Sequence, residues 1–442
     1  MNTRTLALCA LVAAAAPLRA GESAKAPDRG RAQPIDLATA LRLAGAQNVD
    51  VKLAAEKATL AQAEHTLAQQ QFFPWITVGT GFRGHQGNIQ AVDGTIIDAD
   101  KSAIDLGGAV RAQLDLGEAY FKTLSATQLV KAANFASDAQ QQDAALAAAL
   151  GYFDLVRAQA TVGVALEAVR ISQDYETQVR RAVDAGIAFA GDAYRIQTQL
   201  EVNRLAYRQA LETRRVSAAR LAQVLHLDPA VNLLPEESSP APLKLVSATG
   251  TLDSFVQRAL IDRPELHMSA AQREAARRAR DGAIYGPIMP TLGAQYSYGG
   301  LAGGTGNTIA DFNDSSDYGV GLAWRIGPGG LFDRGRIAAS ESRLRTTELE
   351  GEKLRDEIVR QVVESHTRVR SLGDQMGMAQ RGLAAAQKTL DLSRERKEFG
   401  VGAVAETIQA EQDLTRTRRD YIGTLAEYNK AQFVLRRSIG GK

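Results

Sequence analysis

Two kinds of hydrophobic periodicity alternate along the chain. In the segments at about 75–116 and 291–327, apolar residues alternate one by one with polar or small residues. Each of these segments precedes a long one, at about 118–226 and 333–438, in which apolar residues recur every three or four positions. Period two is typical of half-buried β-strands, and the longer period is typical of packed helices. The pattern therefore predicts two β-hairpins, each followed by a long helical hairpin.

The predicted helices are much longer than those of a compact domain. From Ile358 to Ser393 an uncharged residue recurs at alternating steps of four and three, which is the heptad seam of a coiled coil. From Leu155 to Val183 the same steps are kept, with one charged member. The stretch 118–184 contains no proline, and a helix of that length measures roughly 100 Å. We therefore expect an elongated molecule rather than a globule.

The second half of the chain repeats the first. At one fixed offset, Gly186 falls on Gly400 and Tyr207 falls on Tyr421. These matches disfavour the alternative that two unrelated alanine-rich helical domains only look alike, because self-similarity at a fixed offset is the signature of a repeated structural unit. We therefore expect both halves to adopt the same order of strand, strand, helix and helix.

The repeats divide the chain into four parts. Residues 1–20 hold an early arginine and an apolar run too short to span a bilayer, which is typical of a secretory signal cleaved after Ala20. A first repeat at 21–227 and a second at 251–442 flank a proline-rich connector at 228–250. We expect the connector near the equator of the elongated molecule. The signal predicts an exported protein.

The alternating segments carry one apolar face and one polar face. Between Ile104 and Leu116 the alternation is unbroken and longer than in a typical soluble strand. A small sheet packed on the helices would also alternate, but strands of a membrane barrel face lipid and water in turn over about 9 to 11 residues. We expect the apolar face to contact lipid through Ile76, Val78, Val110, Leu114, Val320, Leu322 and Trp324.

Four strands are too few to close a membrane barrel. Lipid does not tolerate the unpaired backbone groups of an open sheet edge, and the smallest usual membrane barrels have about eight strands. If the hairpins enter a membrane, several chains must therefore contribute strands to one barrel. This interpretation predicts an oligomer.

Composition and charge narrow the functional classes. Lys and Arg number 52 and Asp and Glu number 50, a balance that argues against a nucleic-acid-binding protein. The single cysteine, Cys9, excludes a disulfide framework. The five histidines are scattered without metal-ligand spacing, and no nucleophile motif or phosphate loop is present. We therefore expect no metal site, no cofactor and no enzymatic activity.

These features together resemble the TolC-like outer-membrane efflux proteins. The likeness lies in the secretory signal, the duplicated order of elements, the connector and three loose motifs. The motifs are the turn from Gly327 to Arg336, its counterpart from Leu116 to Ala119, and the helical-hairpin sequence from Gly400 to Glu411. The resemblance covers about residues 35–440.

The resemblance implies an α+β membrane protein that works as a homotrimer. Four strands from each chain would form a twelve-stranded β-barrel in the outer membrane of a Gram-negative bacterium, and the helices would form a coiled-coil α-barrel through the periplasm. A periplasmic adaptor (membrane fusion) protein and an inner-membrane pump would dock at the helical tips. Cargo would pass through this exit duct of a tripartite efflux pump or type I secretion system without chemical change.

The resemblance also implies where the duct is gated. Acidic residues close the periplasmic end in this family; the matching positions here are Glu406 and Gln409, and Asp192 and Arg195 occupy them in the first repeat. Three symmetry-related carboxylates in a narrow pore would attract cations. The alternative is that Glu406 is a solvated residue at a helix start. The turns expected to bear the adaptor contain Gly186, Gly191, Gly400 and Gly402.

An alternative function keeps the helices and omits the pore. A soluble periplasmic coiled-coil scaffold or adaptor protein would account for the long rods. It would not account for two exported hairpins with continuous apolar faces lying between those rods. The hairpins therefore favour the duct.

Overall fold

The structure, a computed structural model, describes residues 32–237, 239–246, 250–306, 308–398 and 404–441. The expected signal at 1–20 and the expected tip glycines Gly400 and Gly402 lie outside the described residues. Two helices, two long strands and a long helical hairpin follow one another twice. The first repeat and the connector contain β1 (Ala32–Ile35), α1 (Leu37–Gln47), α2 (Val49–Gln70), β2 (Trp75–Gln90), β3 (Ile96–Asp115), α3 (Leu116–Asp184), α4 (Ala190–Val224) and β4 (Asn232–Pro235). The second repeat contains α5 (Leu252–Asp262), α6 (Pro264–Tyr285), β5 (Thr291–Thr305), β6 (Ala310–Ala323), α7 (Arg334–Glu398) and α8 (Val404–Ser438).

The four long strands form one antiparallel sheet in the order β2, β3, β5 and β6. Ile76 pairs with Val110, Val110 with Tyr296, and Tyr296 with Tyr318. Because directly paired residues project to the same side of a sheet, this register places the apolar positions of all four strands on one face. β2 and β6 are the edges, and neither pairs with a further strand within the described residues.

Two helices run the length of the molecule. α3 has 69 residues and α7 has 65, so each is roughly 100 Å long. α3 begins directly after β3, where Asp115 Oδ1 accepts a hydrogen bond from the Glu118 N–H at 2.9 Å and so caps the helix. It ends before Gly186, whose φ of 76° is a conformation that glycine adopts without strain.

The helices form a layer four helices wide. In the half next to the sheet the order is α2, α3, α6 and α7, and in the other half α4 and α8 take the places of α2 and α6. The buried side chains of Ile358, Val362 and Val369 lie on the heptad seam read from the sequence. The edges of this layer are α2 and α4 on one side and α7 on the other. α2 precedes the edge strand β2 in the chain, and α7 follows the edge strand β6.

The main core lies midway along the rods, in a region that we call the waist. The waist consists of β1, β4, α1, α5, the connector residues 239–246 and the parts of the long helices packed against them. β1 and β4 pair in parallel and thereby join the start of the first repeat to the connector. Tyr152, Leu155 and Leu225 have no exposed surface there. The waist therefore holds much of what stabilises a single chain.

Two side-chain amides on α8 bind the connector. Asn429 Oδ1 accepts a hydrogen bond from the Leu243 N–H at 2.9 Å, and its Nδ2 donates to the Ala241 carbonyl at 2.7 Å. Gln432 Oε1 accepts from the Val246 N–H at 3.1 Å. Both amides are buried, so they satisfy connector backbone groups that have no strand partner. The connector is thereby fixed to the last helix.

A buried ion cluster joins three elements of the waist. Glu265, at the start of α6, accepts hydrogen bonds from Arg263 and Arg437, and Arg437 Nε also donates to Asp143 of α3 at 2.8 Å. The side chains of Arg263 and Arg437 are only 7% and 8% exposed. Burial opposes ionisation of Glu265, but the two guanidinium groups outweigh it and lower the pKa of this carboxyl to about 2. The cluster thus links the two repeats through charge.

Candidate functional site

The apolar face of the sheet is open to its surroundings. The side chains of Ile76, Val78 and Val320 are 74%, 79% and 79% exposed. Extended apolar surface of this kind marks contact with a membrane or with another protein. The register brings the predicted lipid-facing positions of the four strands to one face, as an amphipathic membrane strand requires.

The remaining members of the predicted lipid-facing set differ in their surroundings. Val110 and Leu322 are exposed, whereas Leu114 is half-buried near the start of α3. Trp324 lies one residue beyond the end of β6, and its Nε1 donates a hydrogen bond to the Ile288 carbonyl at 3.1 Å. An exposed indole ring with a satisfied N–H suits a membrane–water interface better than the bilayer centre.

The opposite face of the sheet is polar and small. Arg83 and Asp105 project from neighbouring strands and lie 3.7 Å apart. Arg111 pairs in register with Trp75 on one side and Gln295 on the other, so all three lie on this face. A polar face opposite an exposed apolar face is what the wall of a water-filled membrane pore requires.

Two facing glycines bring β3 and β5 unusually close together on the polar face. Gly107 pairs directly with Gly299. A Cβ atom on Gly107 would lie 2.5 Å from the Tyr298 carbonyl oxygen, and one on Gly299 would lie 2.4 Å from the Leu106 carbonyl oxygen. Larger residues at either position would push the strands apart. The alternation of the sequence shows both glycines as small members of this face but does not indicate that they pair.

The turn between α3 and α4 is the described helical tip. The Gly186 N–H donates to the Val183 carbonyl and the Ile187 N–H donates to the Ala182 carbonyl, both at 2.9 Å. This pair of bonds, together with the positive φ of Gly186, closes α3 and reverses the chain. The structure therefore has a turn at Gly186, and the role of this turn in docking stays a prediction.

Exposed apolar side chains surround this tip. Ile187, Phe189 and Tyr194 are 81%, 76% and 70% exposed. A Cβ atom on Gly191 would lie 2.4 Å from the Phe189 ring, so this glycine lets the ring fold over the start of α4. Sequence reasoning named the tip glycines and missed these side chains, although two large apolar residues in the exposed turn and a third near the start of α4 were a signal.

The predicted gate residue Glu406 is paired within its own hairpin. Its Oε1 accepts a hydrogen bond from Arg396 Nη1 at 2.9 Å, and the two side chains are 41% and 58% exposed. Gln409, at the second predicted position, donates to Asp413 at 3.2 Å. Glu406 is therefore one member of an exposed ion pair that joins the ends of α7 and α8. Sequence reasoning missed Arg396.

The matching residues of the first repeat lie in the other hairpin. Asp192 and Arg195 form an ion pair at 3.5 Å near the start of α4. The tip of this hairpin packs against the start of α8, where Ile408 contacts the cluster of Tyr175 and Ile196. The two hairpins of one chain therefore meet at their tips, and each carries its own acid–base pair.

The candidate functional features among the described residues are exposed surfaces. Across them, no three His, Cys, Asp or Glu side chains come together in a way that could hold a metal ion. Nor does any helix in this part of the chain combine the length and apolar character needed to cross a membrane. The candidate site thus consists of the two sheet faces and the paired helical tips.

The second repeat is similar in sequence to a known family. Residues 255–441 match the family model described as Outer membrane efflux protein. Protein CyaE of Bordetella pertussis (strain Tohama I) is 25% identical to the chain over 296 residues. That match covers 65% of this chain and 60% of CyaE, so the chain matches less than two thirds of this relative's length.

The fold is similar to that of solved outer-membrane channels. The Campylobacter jejuni CmeC outer membrane channel has a TM-score of 0.79 at 14% identity, over 92% of this chain and 85% of that one. The open state of the Neisseria gonorrhoeae MtrE outer membrane channel has a TM-score of 0.73 at 16% identity, over 92% and 89%. At these identities the similarity establishes the fold, and it extends over both repeats.

Proposed function

We propose that the chain is the exit duct of a tripartite efflux pump or of a type I secretion system, because its second repeat matches the family model described as Outer membrane efflux protein. The resemblance to TolC-like proteins that the sequence predicted is confirmed by the family match and the shared fold. The protein lies in the outer membrane of a Gram-negative bacterium and extends into the periplasm. Cargo passes through it unchanged, and we propose no enzymatic activity.

The observation that carries this proposal is the incomplete sheet. Within the described residues its two edge strands have no outer partners, its apolar face is exposed, and neither feature is stable in a lone chain in water. Three copies would pair β6 of each with β2 of the next and close a twelve-stranded barrel. Lipid would then cover the apolar face, and the polar face would line the lumen.

The helical layer supports the same assembly. Its edges are α2 and α4 on one side and α7 on the other; α2 leads into the edge strand β2, and the edge strand β6 leads into α7. A rotation that pairs the sheet edges of neighbouring copies would therefore also bring the edges of their helical layers together. The reason is that each edge strand is connected to the edge helix on the same side of the chain. We propose that this continuous contact forms a homotrimer with a coiled-coil α-barrel.

The tips are the proposed contacts for partners. The exposed Ile187, Phe189 and Tyr194 provide an apolar docking surface at the end of the rods remote from the sheet. Interfaces are enriched in aromatic side chains of this kind. We propose that a periplasmic adaptor (membrane fusion) protein docks here and couples the duct to an inner-membrane pump.

A test of the duct is fractionation of a Gram-negative host that expresses the full-length chain, followed by sizing and planar-bilayer conductance of the detergent extract. We expect recovery in the outer membrane as a detergent-dependent trimer that conducts ions. Recovery of an exported, water-soluble rod without conductance would contradict the duct and favour a periplasmic scaffold.

A further inference from the structure

A recess of about 910 Å³ lies where the sheet meets the helical layer. One face each of α2, α3, α6 and α7 borders it, together with the helix-proximal ends of three strands. Pockets of 300 to 1,000 Å³ are the usual size for drug-sized organic ligands. The recess is therefore large enough for such a molecule and too small for a folded polypeptide.

The strand residues show which side of the wall the recess occupies. Asp115, Thr291 and Ala323 border it, and all three belong to one row of the sheet, on the polar face. The polar face lines the lumen in the proposed duct, so the recess opens to the lumen. This placement rests on the proposed function.

The floor of the recess is made of small residues. Ala276, Ala279 and Ala283 of α6 border it at helical spacing, and Gly282 leaves room for Phe121. A Cβ atom on Gly282 would lie 2.7 Å from Cβ of Phe121. α6 lies between α3 and α7. Because its side chains here are short, the surface of the helical layer is recessed along α6 relative to both neighbouring helices. The result is an apolar floor.

Opposite charges flank this floor. An acidic wall on the side of α2 and α3 consists of Glu64, Asp115 and Glu118, interrupted by Lys122. A basic wall on the side of β6 and α7 consists of Arg325, Arg336 and Arg343. Among the described residues, Glu64 and Arg343 have no ion-pair partner, so both are available to a ligand.

We propose that the recess binds small zwitterionic amphiphiles. The apolar body of the ligand lies on the alanine floor, its amine faces the acidic wall, and its acid group faces the basic wall. Burial of apolar surface supplies affinity, and the two walls supply orientation. A molecule with one charge would satisfy only one wall and leave the other without a partner.

The test uses four probes that share one environment-sensitive fluorophore. Nα-dansyl-lysine keeps a carboxylate and, at the far end of its side chain, a charged ε-amine; dansylglycine is an anion, dansylcadaverine is a cation, and dansyl amide is neutral. Each is titrated onto the purified trimer of the full chain in an amphipathic polymer. We expect Nα-dansyl-lysine to bind about fivefold tighter than either singly charged probe, because one further exposed charge contact changes affinity by about that factor.

Two charge variants assign the walls. Arg343→Gln should weaken binding of Nα-dansyl-lysine and dansylglycine about fivefold and leave dansylcadaverine unchanged. Glu64→Gln should weaken binding of Nα-dansyl-lysine and dansylcadaverine and leave dansylglycine unchanged. Arg345→Gln and Glu56→Gln, exposed positions of the same helices outside the recess, are the matched controls and should change nothing.

A filling variant locates the binding. Ala279→Trp should abolish the saturable binding of all four probes, because the indole ring would occupy the floor. Unchanged binding in this variant, equal affinities for the four probes, or no effect of the charge variants would each overturn the proposal.

These measurements distinguish failure of the proposed duct function from failure of the proposed ligand site in the recess. All titrations use trimers that conduct in planar bilayers. Conducting trimers without the expected probe preference overturn the recess and leave the duct standing. A chain that forms no conducting trimer overturns the duct, and the lumenal position of the recess fails with it.

Discussion

Apolar side chains are buried at the waist and exposed on the sheet. At the waist, Tyr152 and Leu155 are completely buried, and the amide of Asn429 has partners within the same chain. In the sheet, Ile76 and Val78 are about three quarters exposed or more, and neither edge strand has an outer partner in the part of the chain that the structure describes. One chain therefore completes the waist but leaves the sheet unfinished.

This difference indicates where stability is local and where it depends on assembly. A region whose apolar and polar groups are satisfied internally is stable in the single chain. A region with open edges and exposed apolar side chains gains its stability from lipid and from other copies. Mutations in the two regions should therefore fail in different assays.

The largest expected effect comes from charge on the apolar sheet face. In the proposed barrel, Val110→Arg combined with Leu322→Arg places two guanidinium groups on the lipid face, where each costs about 2–4 kcal/mol at the bilayer midplane and about 0–1 kcal/mol near an interface. We expect the yield of detergent-resistant trimer to collapse while the helical content of the recovered chain stays near that of wild type. Gel mobility of unheated samples and circular dichroism measure the two quantities.

The control for the strand variant lies on the other face. Thr77→Arg places the same side chain on the polar face of β2, where the proposed lumen supplies water. Its trimer yield should match wild type. Equal yields for Thr77→Arg and the double variant would show that the two faces do not differ in their surroundings.

The next largest effect should come from the waist. Arg437→Met removes one of the two guanidinium groups bound to Glu265 and also leaves Asp143 without its partner. Removing one member of a buried ion pair typically destabilises by about 3–5 kcal/mol. Because Asp143 is half exposed, we expect the lower end of that range, seen as a reduced free energy of unfolding by circular dichroism.

An exposed pair provides the matched comparison for Arg437. Arg258 and Asp262 are 57% and 44% exposed, so Arg258→Met should cost less than about 1 kcal/mol. Similar losses for the two variants would mean that burial at the waist does not set the strength of its ion cluster.

The cluster should also give the waist a defined acid sensitivity. The pKa of Glu265 is lowered from 4.5 to about 2, so its stabilisation is complete above pH 4.5 and is lost as the pH falls toward 2. At about 1.4 kcal/mol per unit of pKa shift, the loss amounts to about 3 kcal/mol. Thermal unfolding of wild type and Glu265→Gln should therefore differ at pH 7 and converge between pH 4.5 and 2. A difference that persists unchanged to pH 2 would contradict the assigned pKa.

The periodicity of apolar residues predicted the helices and strands, because a period depends only on spacing along the chain. The heptad seam through Ile358 and the alternation through Val110 each repeat at the period of their element, and the structure has a helix and a strand there. The two repeats share their order of elements for the same reason. Glu265 and Arg437, however, lie 172 positions apart in the sequence, and only the arrangement of the helices brings them together.

Some features of the candidate site could also be predicted from the sequence, and others depend on contacts between distant parts of the chain. The lipid-facing positions follow from alternation, and the turn at Gly186 follows from the backbone freedom of glycine. The partner of Glu406 does not follow from any period, because Arg396 reaches it across the hairpin from α7. The recess could not be read from the sequence either, since its walls come from four helices that are far apart in the chain.

The smallest effect on stability and a clear effect on conductance are expected at the helical tip. Glu406 and Arg396 are both substantially exposed, so breaking their pair should cost less than about 1 kcal/mol. Glu406→Gln leaves three uncompensated guanidinium groups in the proposed trimer and should weaken block of the pore by trivalent cations. Arg396→Gln leaves three free carboxylates instead and should strengthen that block.

Planar-bilayer recordings with the cation on the periplasmic side measure both variants, and trimers whose cation block is the same in wild type and both variants would contradict a gate at Glu406. Because the expected shifts have opposite signs, a general loosening of the tip could not produce them.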